Sequence, residues 1–275
     1  MTVKNSKITF VGAGNMAGAI IAGLLKNGVD AKSITAAEPS LERLEILSKE
    51  YGIRHDSNNV SAVANADVVV LSVKPQILQS VCEGMRGAFP KGALVISIAA
   101  GVEMRSIEEW LGGDVALVRC MPNTPAQVLA GASGLFANTQ VNAAQKDIAY
   151  ALFSAIGVCQ WVESEDLLHA VTALSGSGPA YVFLVIDAME KAARKQGIDE
   201  KSARLLAAQT VMGAAQMVLS GDIPPEQLKR NVMSPGGTTE RAIQVLEGQG
   251  LPAIFDEAMT AANQRSVELA DLLKG

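Results

Sequence analysis

Short apolar runs alternate with helical patterns through roughly the first 160 residues. Lys7-Ile8-Thr9-Phe10-Val11 reads as a strand, and 15–27 as a helix that stops near Asn27-Gly28. Ser33-Ile34-Thr35-Ala36-Ala37 is a weaker strand, followed by a helix over 40–51 that Gly52 ends. Residues 67–73 and 93–98 are nearly continuous apolar runs, the signature of strands buried on both faces in a parallel sheet. Residues 115–119 and the segments near 131–137 and 157–162 read as further strands. Strand and helix in alternation, with short connections, predict a Rossmann-type doubly wound α/β sheet, mainly parallel.

After residue 163 the texture changes. No further strand is expected, and Ala, Leu, Met and Gln recur at helical spacing over 178–196, 199–220 and 251–273. Shorter helices are expected near 224–233 and 238–248. The chain therefore divides into a dinucleotide-binding domain over 1–163 and an all-helical domain over 164–275. The apolar stripes of the second part are wide for its size, which predicts association with another subunit.

Composition narrows the classes. Of 275 residues 49% are hydrophobic and 19% charged, a globular balance. The formal charge is −5 and no basic run occurs, which argues against a nucleic-acid or anionic-membrane partner. Cys82, Cys120 and Cys159 are sparse and odd in number, which suits a reducing compartment. With His55 and His169 standing alone, no structural metal is expected. Met1–Lys7 has no apolar core with a cleavage site, and apolar runs such as 92–101 are too short to span a bilayer, so a cytoplasmic protein is expected.

The chemistry starts at Gly12-Ala13-Gly14-Asn15-Met16-Ala17, a G-x-G-x-x-A pattern between the first strand and the first helix. Gly12 allows the tight turn, and Gly14 lets the backbone approach a pyrophosphate. Ala17 and Gly18 let the helix lie close to the sheet while its amino end presents free N–H groups to an anion. Glu38, at the end of the second strand, is placed to accept hydrogen bonds from an adenosine ribose, which favours NAD; Ser40 and Arg43 could serve a 2′-phosphate if Glu38 turns away. Val73-Lys74-Pro75 and Ala99-Ala100-Gly101 follow the next two strand-like runs, where ligands of a doubly wound sheet gather. Ser175–Tyr181 reads as a tight helix crossing with a restart at Pro179. Ser234-Pro235-Gly236-Gly237-Thr238-Thr239 combines a free backbone, two hydroxyls and a helix start, which suits a small anionic ligand held by its carboxylate.

Val11–Ala17, Val73–Pro75, Ile98–Gly101, Arg119-Cys-Met-Pro-Asn-Thr-Pro125, Ser175–Tyr181 and Ser234–Thr239 occur in one order along nearly the whole chain. Together they closely resemble the pyrroline-5-carboxylate reductases. The resemblance implies reduction of 1-pyrroline-5-carboxylate to L-proline, with NADPH favoured over NADH, and a helical domain that interlocks with a second copy. It also implies an active site at the homodimer interface and dimers that often build decamers. Carried over by position, Gly12, Gly14, Asn15, Met16, Glu38, Asn59, Val73, Lys74, Pro75, Ala99, Ala100 and Gly101 would bind the cofactor. Glu165, Asn231, Ser234, Gly237, Thr238 and Thr239 would bind the substrate, with Thr239 as hydrogen-bond partner of the ring nitrogen. Glu38 stands where many members carry a neutral residue.

Two alternatives have a sequence basis. A reductase of another cyclic imine or of a hydroxy acid could share this architecture. The hydroxy-acid version is expected to place an acid/base lysine in a long central helix, whereas Lys191 and Lys195 read as solvated charges near a helix end. A non-catalytic dinucleotide sensor would have no use for the Ser234–Thr239 pocket.

Overall fold

The computed structural model describes residues 2–273. Eight strands form one sheet in the order β3-β2-β1-β4-β5-β6-β7-β8. In chain order the first elements are β1 (Ile8–Val11), α1 (Asn15–Lys26), β2 (Ile34–Ala37), α2 (Leu41–Tyr51), β3 (Arg54–Asp56) and α3 (Asn59–Val63). There follow β4 (Val68–Leu71), α4 (Pro75–Gly84), β5 (Leu94–Ser97), α5 (Met104–Leu111) and β6 (Ala116–Met121). Then come β7 (Gly131–Ala137), α6 (Ala143–Ser154) and β8 (Gly157–Trp161). The strands from β3 to β6 are parallel; β7 runs antiparallel to β6, and β8 is parallel to β7. The expected mainly parallel Rossmann-type sheet is what forms.

The central strands are apolar on both faces because helices cover both. Ile8, Phe10, Val68, Val70 and Ile96 belong to one core cluster, while Val11, Val69, Leu71 and Val95 belong to the other. Burial pushes the Cys82 thiol up to about 12, and it raises the other two thiols as well. β3 was not expected. Its residues Arg54, His55 and Asp56 carry no apolar signal; it is held at the sheet edge by ladder bonds to β2 and by the Asp56 carboxylate, which accepts from Ser61 Oγ at 2.5 Å and from Asn58 N–H at 2.9 Å.

The helical part consists of α7 (Leu167–Val171), a π-helical turn (Thr172–Gly176), α8 (Gly178–Lys195), α9 (Glu200–Leu219), α10 (Pro225–Asn231), α11 (Thr238–Gly248) and α12 (Leu251–Leu272). Gly176 lies against Met121: a Cβ there would stand 2.7 Å from the Met121 Cε. The π turn joins α7 to α8, so Leu167–Lys195 is a helical run long and apolar enough, by length and composition, to cross a membrane. The sequence pattern starts that helix at 178, and the π turn extends the helical run back to Leu167.

Among the described residues, 2–177 and 261–273 form one compact unit, and 178–260 form a second. The second unit buries little of itself: in 178–260 the buried side chains are Glu190, Ala203 and Ala207. Glu190 accepts from Arg204 Nε at 3.0 Å and Nη2 at 3.3 Å, which ties α8 to α9. Phe183, Leu184, Leu205 and Leu219 are all more than 60% exposed.

Two expectations follow. Gly157 has φ +149°, and a Cβ there would lie 2.0 Å from Gly131 O in the neighbouring strand. Gly157→Ala should cost more than about 3 kcal/mol, from strain and overpacking together, read by chemical denaturation. A loss below about 1 kcal/mol would mean that the β7–β8 pair yields easily. Cys82, with its thiol un-ionised at about pH 8, should resist iodoacetamide in the folded protein and react once the chain is unfolded.

Candidate active site

The carboxyl ends of β1 to β5 collect every residue expected to touch a dinucleotide. Gly12 has φ +97°, and a Cβ there would lie 2.8 Å from Ser72 C and O, so no other residue fits the turn. Gly12 N–H donates to Ala37 O at 2.8 Å, and Ser72 Oγ donates to Gly12 O at 2.7 Å. The turn is thereby fastened to both neighbouring strands. Gly14 is the N-cap of α1 and makes no side-chain cap, and a Cβ on it would meet only Ser72 O, at 4.0 Å. The first amides of α1 therefore open on a space that a Cβ would enter, the arrangement that accepts a pyrophosphate. Asn15 is exposed there, and Met16 packs partly into the core.

Glu38 follows β2 directly, and its Oε2 accepts the Ala13 N–H at 3.1 Å. A cleft of about 470 Å³ borders the turn, lined by Gly14, Asn15, Arg43, Tyr51 and Gln127 among others. Arg43 thus reaches the same neighbourhood as the Gly-rich turn, as a phosphate partner would require. Asn59 opens α3, behind Asn58, whose Oδ1 accepts the N–H groups of Val60 and Ser61. The Ser61 hydroxyl and the Asn58 N–H hold the nearby Asp56 carboxyl below its usual range. Lys74 is the exposed N-cap of α4, preceded by Val73 and followed by Pro75 at the first helical position. Ala99, Ala100 and Gly101 follow β5; Ala99 N–H donates to Ser97 Oγ at 3.3 Å, and Gly101 has φ +74°.

The residues expected to bind substrate fall into two groups. Asn231, Ser234, Gly237, Thr238 and Thr239 gather at the connection between α10 and α11. Gly236 has φ +73°, Gly237 N–H donates to Ser234 O at 2.9 Å, and Thr238 begins α11 with Thr239 half-buried behind it. A Cβ on Gly237 would lie 2.9 Å from Ser234 O, so this loop too needs its glycine. The exposed Asn231 accepts from Gln227 Nε2 at 2.8 Å. Glu165 belongs to the other compact unit, where its Oε1 accepts from Arg119 Nη1 and from Met104 N–H.

Three residues carry a structural task that the sequence motifs do not assign. Arg119 is buried in β6, and a lone cation in an otherwise apolar strand was the signal available. Asn123 donates to Ser175 O at 3.0 Å and accepts from Ala132 N–H at 2.9 Å, joining two of the motifs. Glu240 Oε2 accepts the Gly236 N–H at 2.7 Å. Lys191 is exposed and pairs with Asp187 at 2.6 Å, which leaves it a surface charge rather than an acid/base group.

Two family models match the chain: pyrroline-5-carboxylate reductase dimerisation over residues 165–269, and NADP oxidoreductase, coenzyme F420-dependent, over residues 7–101. A pyrroline-5-carboxylate reductase of Pseudomonas aeruginosa is 49% identical over 267 residues, covering 97% of this chain and 98% of that protein. The solved structure of a pyrroline-5-carboxylate reductase from Coxiella burnetii superposes with a TM-score of 0.94 at 46% identity, covering 96% of this chain and 98% of that one. A Plasmodium falciparum pyrroline carboxylate reductase solved with NADP bound superposes with a TM-score of 0.86 at 30% identity, covering 97% and 99%.

Glu38 supplies a test of the turn. Replacing it with Ser removes the carboxylate that now takes the Ala13 N–H, and should raise the NADPH-to-NADH ratio of kcat/KM by about tenfold, roughly one charge-assisted hydrogen bond. An unchanged ratio from parallel assays would detach Glu38 from cofactor choice.

Proposed function

The chain belongs to the pyrroline-5-carboxylate reductase family and reduces 1-pyrroline-5-carboxylate to L-proline, the last step of proline synthesis; we propose that the Gly12–Gly14 turn holds the dinucleotide and the Ser234–Thr239 loop the substrate. The observation that supports the first assignment most directly is the uncapped amino end of α1 behind Gly12 and Gly14. Asn15, Met16, Asn59, Val73, Lys74 and Pro75 line the same strand ends, with Ala99, Ala100 and Gly101 as a small-residue platform for the nicotinamide. NADPH is the principal cofactor and NADH the second. When bound, the dinucleotide supplies the hydride. Arg43 and Ser40 are assigned to its 2′-phosphate, and Glu38 sets how strongly that phosphate is preferred.

The substrate is a five-membered cyclic imine with a carboxylate. Hydride adds to the imine carbon, and a proton ends on the ring nitrogen, so no metal or covalent nucleophile is required. Backbone N–H groups at the start of α11 hold the carboxylate, helped by the Thr238 hydroxyl and by the helix dipole. Thr239 hydrogen-bonds the ring nitrogen; Ser234 and Gly237 shape the loop, and Asn231 and Glu165 are assigned to substrate binding as well. Fixing the imine carbon for attack can remove about 7–11 kcal/mol of the barrier, so orientation is the main contribution asked of these side chains.

Residues 1–163 serve as the dinucleotide-binding domain and 164–275 as the dimerisation and substrate-binding domain. In support, the last strand ends at Trp161 and the dimerisation model begins at residue 165. Two copies pair through the helical part, whose apolar residues are largely exposed in one chain, and the pairing completes the site; dimers then assemble into decamers. The apolar Leu167–Lys195 run thus meets protein rather than lipid, and the enzyme works in the cytoplasm.

The protein should oxidise NADPH in the presence of 1-pyrroline-5-carboxylate and yield proline; no oxidation by a folded, cofactor-binding sample would overturn the assignment. Thr239→Ala should lower kcat/KM by about ten- to a hundredfold, the scale of one or two lost hydrogen bonds. An unchanged kcat/KM in that folded variant would remove Thr239 from the reaction.

A further inference from the structure

The Arg119–Pro125 stretch is distinctive in sequence and has no task in the scheme above. Arg119 sits in β6 between Val118 and Cys120, with its side chain 7% exposed. A guanidinium so placed needs a counter-charge and an acceptor, because burying it unpaired costs several kcal/mol. Glu165 supplies both, with Oε1 2.5 Å from Arg119 Nη1. The same oxygen accepts the Met104 N–H at 2.6 Å. Oε2 makes no hydrogen bond among the described residues.

Met104 is the first residue of α5, and the connection it closes begins at Ile98. The near end of that connection is fixed by Ile98 N–H to Leu71 O at 3.1 Å and by Ala99 N–H to Ser97 Oγ at 3.3 Å. The far end is fixed by Glu165. Under the middle, Gly101 faces the end of α12: a Cβ there would lie 3.6–3.8 Å from atoms of Leu269, Ala270 and Leu273. The Ala99–Gly101 segment is therefore anchored at both ends and backed from below. Among the described residues, Arg119 is the cation that pairs with Glu165.

We infer that Arg119 is a positioning residue for hydride transfer: through Glu165 it fixes the amino end of α5 and so sets where the Ala99–Gly101 platform presents the nicotinamide. The inference rests on the cofactor role proposed for Ala99–Gly101. It also gives the signature a physical reason. Arg119 fixes the platform, while Asn123, four residues on, fixes Ser175 and Ala132. A misplaced platform leaves the phosphate contacts of the turn intact, so cofactor affinity should survive while the chemical step slows.

The test compares R119Q, R119K, E165A and R119Q/E165A. In the cofactor-free protein, hydrogen exchange of the amides from 98 to 107 should quicken by at least about tenfold in R119Q, with β1 and β4 unchanged. With NADPH and 1-pyrroline-5-carboxylate, R119Q should lose at least about tenfold in kcat, while the NADPH Kd from nicotinamide fluorescence stays within about threefold. The isotope effect on kcat with 4-deuterated NADPH should rise as hydride transfer becomes slower than product release. R119K, with one charged donor group, should recover part of the loss. On the E165A background, adding R119Q should change kcat by less than about twofold, since Arg119 acts through Glu165. Unchanged exchange and kcat in R119Q would overturn the inference. So would a further large loss in the double variant, or equal changes in exchange across the whole chain and in Kd. Failure of the wild-type protein to turn over 1-pyrroline-5-carboxylate would sink the enzyme assignment instead, and the exchange experiment would still decide whether Arg119 holds the platform.

Discussion

A methyl group on Gly12 would stand 2.8 Å from the carbonyl carbon and oxygen of Ser72, and the carboxyl edge of the sheet is arranged around that close approach. β1 and β4 are parallel neighbours, so their continuations leave the sheet side by side. The chain out of β1 must turn at once into α1 without colliding with the chain out of β4, and a positive φ on a residue with no side chain is the solution found. Ser72 then locks the turn through its hydroxyl. With α1 aimed this way, its free amides open on the edge where β2, β3 and β5 deliver Glu38, Asn59 and Ala99–Gly101. The place proposed for the dinucleotide is thus a consequence of strand order and one forced turn.

The helical part obeys a different constraint. A helix buries its apolar stripe against something, and in 178–260 the apolar side chains buried within one chain are two alanines. Phe183, Leu184 and Leu205 carry far more area than those alanines and leave most of it in water. At about 25 cal/mol per Å² of apolar surface removed from water, covering such side chains is a major source of free energy that a single chain leaves unused. Glu190 with Arg204 links α8 to α9, but an ion pair of this kind does not replace a core. That imbalance agrees with the match of residues 165–269 to a dimerisation model.

How much could be read in the sequence varied with how local the cause was. Strands such as Gly131–Ala137 and helices such as Thr238–Gly248 lie where the pattern put them, because hydrophobic period and glycine punctuation are local signals. β3 was invisible because Arg54-His55-Asp56 has no apolar residue, and its strand state comes from pairing with β2. The length of the 167–195 helix was hidden because Pro179 reads as a start, and a π turn carries the chain into it. The members of each loop were legible as motifs. Their partners were not: no spacing rule links Arg119 to Glu165, 46 residues away, or Asn123 to Ser175, 52 residues away.

The two turns proposed to bind anions share a feature that the motifs alone would not suggest. In the first, Glu38 takes the Ala13 N–H; in the second, Glu240 takes the Gly236 N–H. Each turn thus satisfies one of its own donors with a carboxylate of the chain, which stabilises the loop without a ligand, since an exposed N–H group at a helix start favours a negative partner. Each carboxylate also stands where an incoming phosphate or carboxylate would feel it. Preorganisation and repulsion therefore come from the same residue, and their balance is set by how far each side chain can withdraw. Glu38 follows directly from β2 and is half-buried, with Arg43 in the cleft beside the same turn to offset its charge toward a 2′-phosphate. Glu240 lies in the first turn of α11 beside two threonines, and the Thr238, Thr239 and Glu240 amides there have no partner among the described residues. The loop proposed for the substrate consequently keeps three donors without a partner among the described residues after Glu240 has taken Gly236, an arrangement that suits a carboxylate.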